Sequence, residues 1–162
     1  MKKVLGIGNA LVDVLVQVES ELILNELQLP KGSMQLINTE RYLTIQKRLE
    51  SLNKQLTTGG SACNTILAIA NLGGQPGLIG KVGHDEMATF FADNCVRHDI
   101  KANLLHAEQL PTGVASTFIT PDGQRTFGTH LGAAATLTAD DIKAEWFEGY
   151  DYFYIEGYLR SE

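Results

Sequence analysis

Residues 59–74 read GGSACNTILAIANLGG, and GLIGKVGHDE follows at 77–86. Between the two glycine pairs, Ile66, Ile69, Ala70 and Leu72 recur at helical spacing, which predicts a helix capped by Ser61 and stopped at Gly73-Gly74. A short apolar run, 78–82, predicts a strand. Asp85 then opens a second helix with Met87, Phe90, Phe91 and Cys95 on one face. Helices that alternate with short buried strands indicate an α/β domain whose sheet is at least partly parallel.

Toward the N-terminus the pattern changes to strands over 4–8 and 11–18. In the second, Val12, Val14, Val16 and Val18 share one face and Leu11, Asp13, Leu15 and Gln17 the other. Ser20 can cap a short helix through Leu27, Pro30-Lys31-Gly32 turns the chain, and 34–37 reads as a strand. From Thr39, Tyr42, Ile45, Leu49 and Leu52 mark an amphipathic helix. Toward the C-terminus, residues 112–131 read as a β-hairpin that returns through Pro121-Asp122-Gly123. Thr138 with Asp141 forms a capping box for a further helix, and Tyr152-Phe153-Tyr154-Ile155 ends the pattern as an aromatic strand. The early strands and the late hairpin look like a separate small β-element beside the α/β part.

The chain has 162 residues, 44% of them hydrophobic, and its 13 Lys plus Arg against 19 Asp plus Glu give a net charge of −6. A protein of this length buries a core without disulfides or metals. An acidic balance with no Lys/Arg block argues against nucleic-acid and anionic-membrane surfaces and favours small molecules or proteins as partners. Asn9 and Asp13 interrupt the apolar start, so it is not a signal peptide, and no apolar run is long enough to span a membrane. Cys63 and Cys95 fall in helical segments without metal or disulfide spacing, which fits a reduced, cytoplasmic protein.

Four motifs carry possible chemistry. Gly6-Ile7-Gly8 lacks the third glycine and the following helix of a dinucleotide fingerprint, so these glycines more simply admit a ligand or a neighbouring backbone. Asp13 is a carboxylate in an apolar strand: it either faces a ligand, accepting bonds from adjacent hydroxyls, or lies on a solvated edge. Gly59-Gly60 at a helix start is either a plain tight turn or a place where backbone N–H groups and the helix dipole meet an anion or a hydroxyl oxygen. Asn64, one turn in, adds a polar group to the second reading. His84, His98, His106 and His130 lack the i, i+4 spacing of a helical metal pair, and Cys63 has no sequence-evident His partner, so it reads as a packed thiol.

GIGNALVDVLV (6–16), GGSACNTILAIANLGG, GLIGKVGHDE, TGVASTFITPDGQRTF (112–127) and LGAAATLT (131–138) together resemble the ribokinase-like (PfkB) carbohydrate kinase family. GNALVD, PKGSMQLI (30–37) and YIEGYL (154–159) look closest to its adenosine kinase branch. The resemblance implies a partial α/β/α sandwich with a small β-sheet lid, its lid strands within about 9–37 and 112–131. It also implies ATP-dependent phosphorylation of a hydroxymethyl group on a sugar or nucleoside, with Mg²⁺ as the accompanying ion. By motif position Asn9, Asp13, Gly59, Gly60 and Asn64 would bind sugar hydroxyls. Gln35, Leu131 and Tyr158 would contact a base, and Arg125 would approach the transferred phosphate.

The family's second signature, an Asp-Thr-x-Gly-Ala-Gly-Asp run that supplies the anion hole and the catalytic base, is absent from this sequence. Residues 1–162 therefore read as the N-terminal, substrate-binding and lid part of one kinase domain, with the ATP-binding half and the base missing and the chain alone inactive. The alternatives are a sugar- or nucleoside-binding module without chemistry, and a regulatory subunit that forms a homodimer through the lid. A sheet interrupted in this way should leave an unpaired edge and a chain prone to self-association.

Overall fold

The computed structural model describes residues 2–159. In chain order the strands and α-helices are β1 (Lys3–Ile7), β2 (Leu11–Gln17), α1 (Leu22–Glu26), β3 (Met34–Leu36), α2 (Thr39–Leu49), β4 (Gln55–Gly59), α3 (Ser61–Asn71), β5 (Gln75–Val82), α4 (Glu86–Arg97), β6 (Lys101–His106), β7 (Gly113–Ile119), β8 (Arg125–His130) and β9 (Tyr152–Ile155). Two compact units result. One is built from the described parts of Met1–Leu11, Thr58–Gly113 and Gly132–Glu162, the other from Val12–Thr57 and Val114–Leu131. None of the described helices is long and apolar enough to cross a membrane.

The first unit is a parallel sheet in the order β6-β5-β1-β9. Leu5 of β1 stands between Gly77 and Phe153, and Ile7 between Ile79 and Ile155. Leu5, Ile7 and Ile79 form a core against which Trp146, Tyr150, Leu137 and Ile142 pack. Gly6 is required by the close approach of α3, because a Cβ there would sit 2.5 Å from the Ile66 side chain. At the head of α4, Asp85 accepts from Ala88 N (2.9 Å) as N-cap and also from Thr112 N (2.7 Å) and Thr112 Oγ1 (2.6 Å). That carboxylate thus fixes the segment leading into β7. β9 pairs with β1 and leaves its other edge open among the described residues, with Tyr152, Phe153 and Ile155 each about half exposed or more.

The second unit is a mixed sheet in the order β3-β8-β7-β2-β4, with α1 and α2. β7 and β8 form the expected antiparallel hairpin, with Ile119 opposite Arg125. Its turn is closed by Thr120 Oγ1 donating to Asp122 Oδ1 at 2.6 Å and by Gly123 at φ 81°. β3 runs parallel to β8. Val12, Val14 and Val16 are buried as the period-2 pattern predicts, while Asp13 and Leu15 on the other face are half-buried.

Three local expectations are corrected. Ser61 does not cap α3. The N-cap is Gly60, at φ 96°, and it offers no side chain. The Thr138–Asp141 capping box is present but starts only a 3-10 turn, Ala139–Asp141, which the chain leaves at Ile142 in an extended conformation (ψ 129°). Ser20 accepts weakly from Leu22 N (3.4 Å), and the short helix it precedes begins at Leu22. Two strands were not expected at all, β4 and β6.

Candidate functional site

In the first unit the site grows from the start of α3. Asn64 N donates to Gly60 O at 2.9 Å, which closes the first turn of the helix. Gly60 is required twice over: its φ of 96° disfavours any side chain, and a Cβ would collide with the Asn9 carbonyl oxygen. With a glycine as N-cap, the exposed amides of α3 need another acceptor. Glu156, one residue past β9, supplies it.

Glu156 is 5% exposed. Its Oε2 accepts from Ala62 N at 2.7 Å, and its Oε1 accepts from Asn9 N at 2.8 Å and Asn9 Nδ2 at 2.7 Å. A negative charge at a helix N-terminus is stabilised by the dipole as well as by the amide bond. Gly8 makes room for this carboxylate, since a Cβ there would lie 2.5 Å from Glu156 Oε2. The helix start that the sequence offered to an external anion therefore already holds an internal one at Ala62. Asn9, 4% exposed, keeps its Oδ1 as the remaining acceptor of the side chain.

Gly59 is buried at the end of β4, and the Asn64 side chain is exposed on α3. Tyr158, in the 3-10 turn Gly157–Leu159 two residues beyond Glu156, is 75% exposed. The first unit thus gathers Asn9, Gly60, Asn64 and Glu156 at the carboxyl ends of β1 and β9, the end of a parallel sheet where α/β proteins bind ligands.

In the second unit Asp13 projects from the non-valine face of β2. Among the described residues it has no hydrogen-bond or ion-pair partner, and burial alone pushes its carboxyl above the ordinary value. Gln35 stands beside Gly128, on the side of β8 against which Ile45 of α2 packs, and its Nε2 approaches Ser33 Oγ at 3.4 Å. Its neighbours Met34 and Leu36 take the opposite face with Phe127 and Thr129, and both are more than half exposed. Arg125 begins β8, exposed, and Leu131 follows its end, half-buried. Six residues of extended chain separate those two, about 20 Å, so they serve different parts of any ligand.

Glu156 is the residue of this cluster that sequence reasoning passed over. Its signal was present in YIEGYL, an acid enclosed by apolar and aromatic residues, which must be paired if buried. Among the described residues no group of three or more His, Cys, Asp or Glu side chains could hold a metal ion. Cys63 and Cys95 are both buried, and burial pushes Cys95 up to about 11, far from a nucleophile's range.

A parallel sheet with covering helices, joined in one chain to a small mixed sheet, and with polar residues collected at the carboxyl ends of its strands, is an α/β architecture that the solved relatives below place in the ribokinase-like class. Residues 34–162 match the pfkB family carbohydrate kinase, and the chain belongs to that family. It is 34% identical over 103 residues to the aminoimidazole riboside kinase of Salmonella typhimurium, covering 60% of this chain and 31% of that protein. Among solved structures it superposes on a probable sugar kinase from Rhizobium etli with a TM-score of 0.84 at 31% identity, covering 98% of this chain and 47% of the other. It superposes on the adenosine kinase of Sinorhizobium meliloti with a TM-score of 0.82 at 32% identity, covering 98% and 48%. The chain therefore spans about half the length of these solved relatives and about a third of that curated one.

Proposed function

We propose that this chain is the acceptor-binding and lid part of an ATP-dependent kinase that phosphorylates a hydroxymethyl group on a sugar or nucleoside. The observation that carries this reading is Asp13, a half-buried carboxylate without a partner among the described residues, in a chain that belongs to a carbohydrate kinase family. A pair of adjacent sugar hydroxyls supplies the donors that Asp13 lacks, each charge-assisted bond contributing about 1.5–3 kcal/mol. Asn9, fixed by Glu156, and Asn64 offer further polar contacts, and the Gly59-Gly60 turn lets a sugar ring approach backbone. Leu131 and Tyr158 are read as contacts to a base, Gln35 as a base contact that requires its side chain to leave Ser33, and Arg125 as the group that meets the transferred phosphate.

ATP would supply the phosphoryl group and Mg²⁺ would neutralise its charge. No group of three or more His, Cys, Asp or Glu side chains among the described residues is placed to hold that ion. We read the protein as cytoplasmic, and the exposed Met34 and Leu36 of the lid sheet as the surface through which a homodimer would form. The alternative reading is a sugar- or nucleoside-binding module without chemistry.

Titration calorimetry of the chain with ribose, fructose and adenosine tests the acceptor reading. Binding of any of them, weakened at least tenfold by Asp13→Asn, is expected. No heat with all three, or binding indifferent to Asp13→Asn, rejects it. Phosphate transfer from ATP by the chain extended to the length of its relatives separates the kinase from the binding module.

A further inference from the structure

We propose that His130 is a proton-operated latch in the lid unit, holding the start of α2 on the sheet while neutral and releasing it when protonated. His130 closes β8, 6% exposed, opposite Val114 of β7. Its ring stacks on Tyr42 of α2, centroids 4.7 Å apart and planes 18° apart, and its Nε2 lies 3.3 Å from Oγ1 of Thr39, the first residue of α2. Its Nδ1 is buried with no hydrogen-bond partner, the one such side-chain atom among the described residues.

A neutral imidazole tolerates this site, because the bare Nδ1 can be an unprotonated lone pair while Nε2–H donates to Thr39. An imidazolium does not. It carries N–H on both nitrogens, so protonation creates a buried donor without an acceptor and a charge at the positive end of the α2 dipole. The ring touches Thr39 and Tyr42 of α2, its cross-strand partner on β7 is Val114, none of these is charged at neutral pH, and burial is the only influence on its proton affinity. Arg41, the nearest cation on α2, turns instead to the carbonyls of Leu27 and Gln28, both at 3.1 Å. Burial accordingly lowers the His130 pKa below its usual value.

The sign follows from linkage. A histidine depressed in the closed form binds its proton more readily once α2 lifts, so the open form gains as pH falls below the ordinary 6.5. Because the open form takes up its proton around 6.5 and the closed form resists it, moving from pH 7.5 to 5.0 multiplies the opening equilibrium by at most about 30. Ile37 N donates to Thr129 O at 2.9 Å, so loosening here also frees the β8 end that leads to Leu131.

Hydrogen exchange of peptides covering 39–49, measured by mass spectrometry at pH 7.5 and 5.0 and corrected for intrinsic rates, tests the latch in the 162-residue chain. The expected result is a 5- to 30-fold rise in opening for the wild type and less than 3-fold for His130→Phe, which keeps a ring but no proton site. A wild-type rise under 3-fold, or an equal rise in His130→Phe, overturns the proposal. NMR titration of the His130 Cε1–H in the wild type tests it without any variant. A midpoint below 6.5 supports the latch, and one at or above 6.5 refutes it.

Discussion

Replacing Glu156 tests whether the site is held by the contacts seen around it. Glu156→Ala leaves three buried donors, Asn9 N, Asn9 Nδ2 and Ala62 N, without their acceptor. Three bonds to an ionised acceptor at about 1.5–3 kcal/mol each give a gross loss of about 4.5–9 kcal/mol. Removing the carboxylate also removes the penalty for desolvating it, several kcal/mol, so a net loss of about 3–5 kcal/mol is expected, the range found when one member of a buried charged cluster is deleted. At about 2–4 °C per kcal/mol for a chain of this size, the midpoint should fall by about 6–20 °C. Glu156→Gln is the sharper variant. It keeps the volume and one accepting oxygen for Asn9 but turns an NH₂ toward the Ala62 N–H, so it should lose about 1.5–3 kcal/mol. Urea unfolding followed by Trp146 fluorescence reads the same unit, because Trp146 packs on the Leu5, Ile7 and Ile79 core. Gln indistinguishable from wild type, or Ala within about 1 kcal/mol of it, would show that Glu156 is not the anchor described here.

Asp13→Asn should leave the chain at least as stable at pH 7, since it removes a carboxylate whose ionised form burial disfavours; urea midpoints at pH 7 check this. Asp85→Ala should cost about 2–4 kcal/mol through its lost bonds to Thr112 and Ala88. Burial pushes the Asp85 carboxyl upward but the Thr112 and Ala88 donors outweigh it and hold it below the ordinary value. The stabilisation is therefore full above pH 3.8 and disappears as pH falls through the lowered value, a slope that should be missing from the variant's acid unfolding curve. The open edge of β9 should make the chain self-associate, and Phe153→Lys with Ile155→Lys should shift its sedimentation toward monomer; a wild type that stays monomeric at high concentration refutes this.

Helices α2, α3 and α4 and the β7–β8 hairpin were legible because each carries a full period of apolar residues or a turn whose chemistry is local. β4 and β6 were not. β4 reads QLTTG, with one apolar side chain, and exists because it pairs beside β2. β6 is an edge strand with every residue at least partly exposed, so its sequence, KANLLH, never shows alternation. The capping box at Thr138 was read correctly as chemistry and wrongly as a helix, since the box closes a single 3-10 turn and the backbone is extended again at Ile142. At the candidate site the glycines and Asn9 were visible as a pattern, whereas Glu156 acquires its role only when β9 aligns with β1 and brings residue 156 to residue 9, a pairing across 147 positions.

Two carboxylates in apolar strand contexts meet opposite fates in this chain, and the difference separates a structural acid from a ligand-facing one. Glu156 is almost fully buried, and three donors compensate its desolvation; it has no bonding capacity that a ligand must supply. Asp13 is only partly buried, yet it has no donor at all among the described residues, and its raised pKa records the uncompensated cost. A carboxylate kept for stability would not persist in that state, because an apolar residue beside Val12 and Val14 would pack at lower cost. A ligand that brings hydroxyl donors to Asp13 gains both the new bonds and relief of that cost, so binding should lower the Asp13 pKa and weaken as pH falls into the carboxylate range. Carboxyl NMR shifts of Asp13 with and without ribose or adenosine measure that coupling. An unchanged titration in a complex of measurable affinity would place the ligand elsewhere.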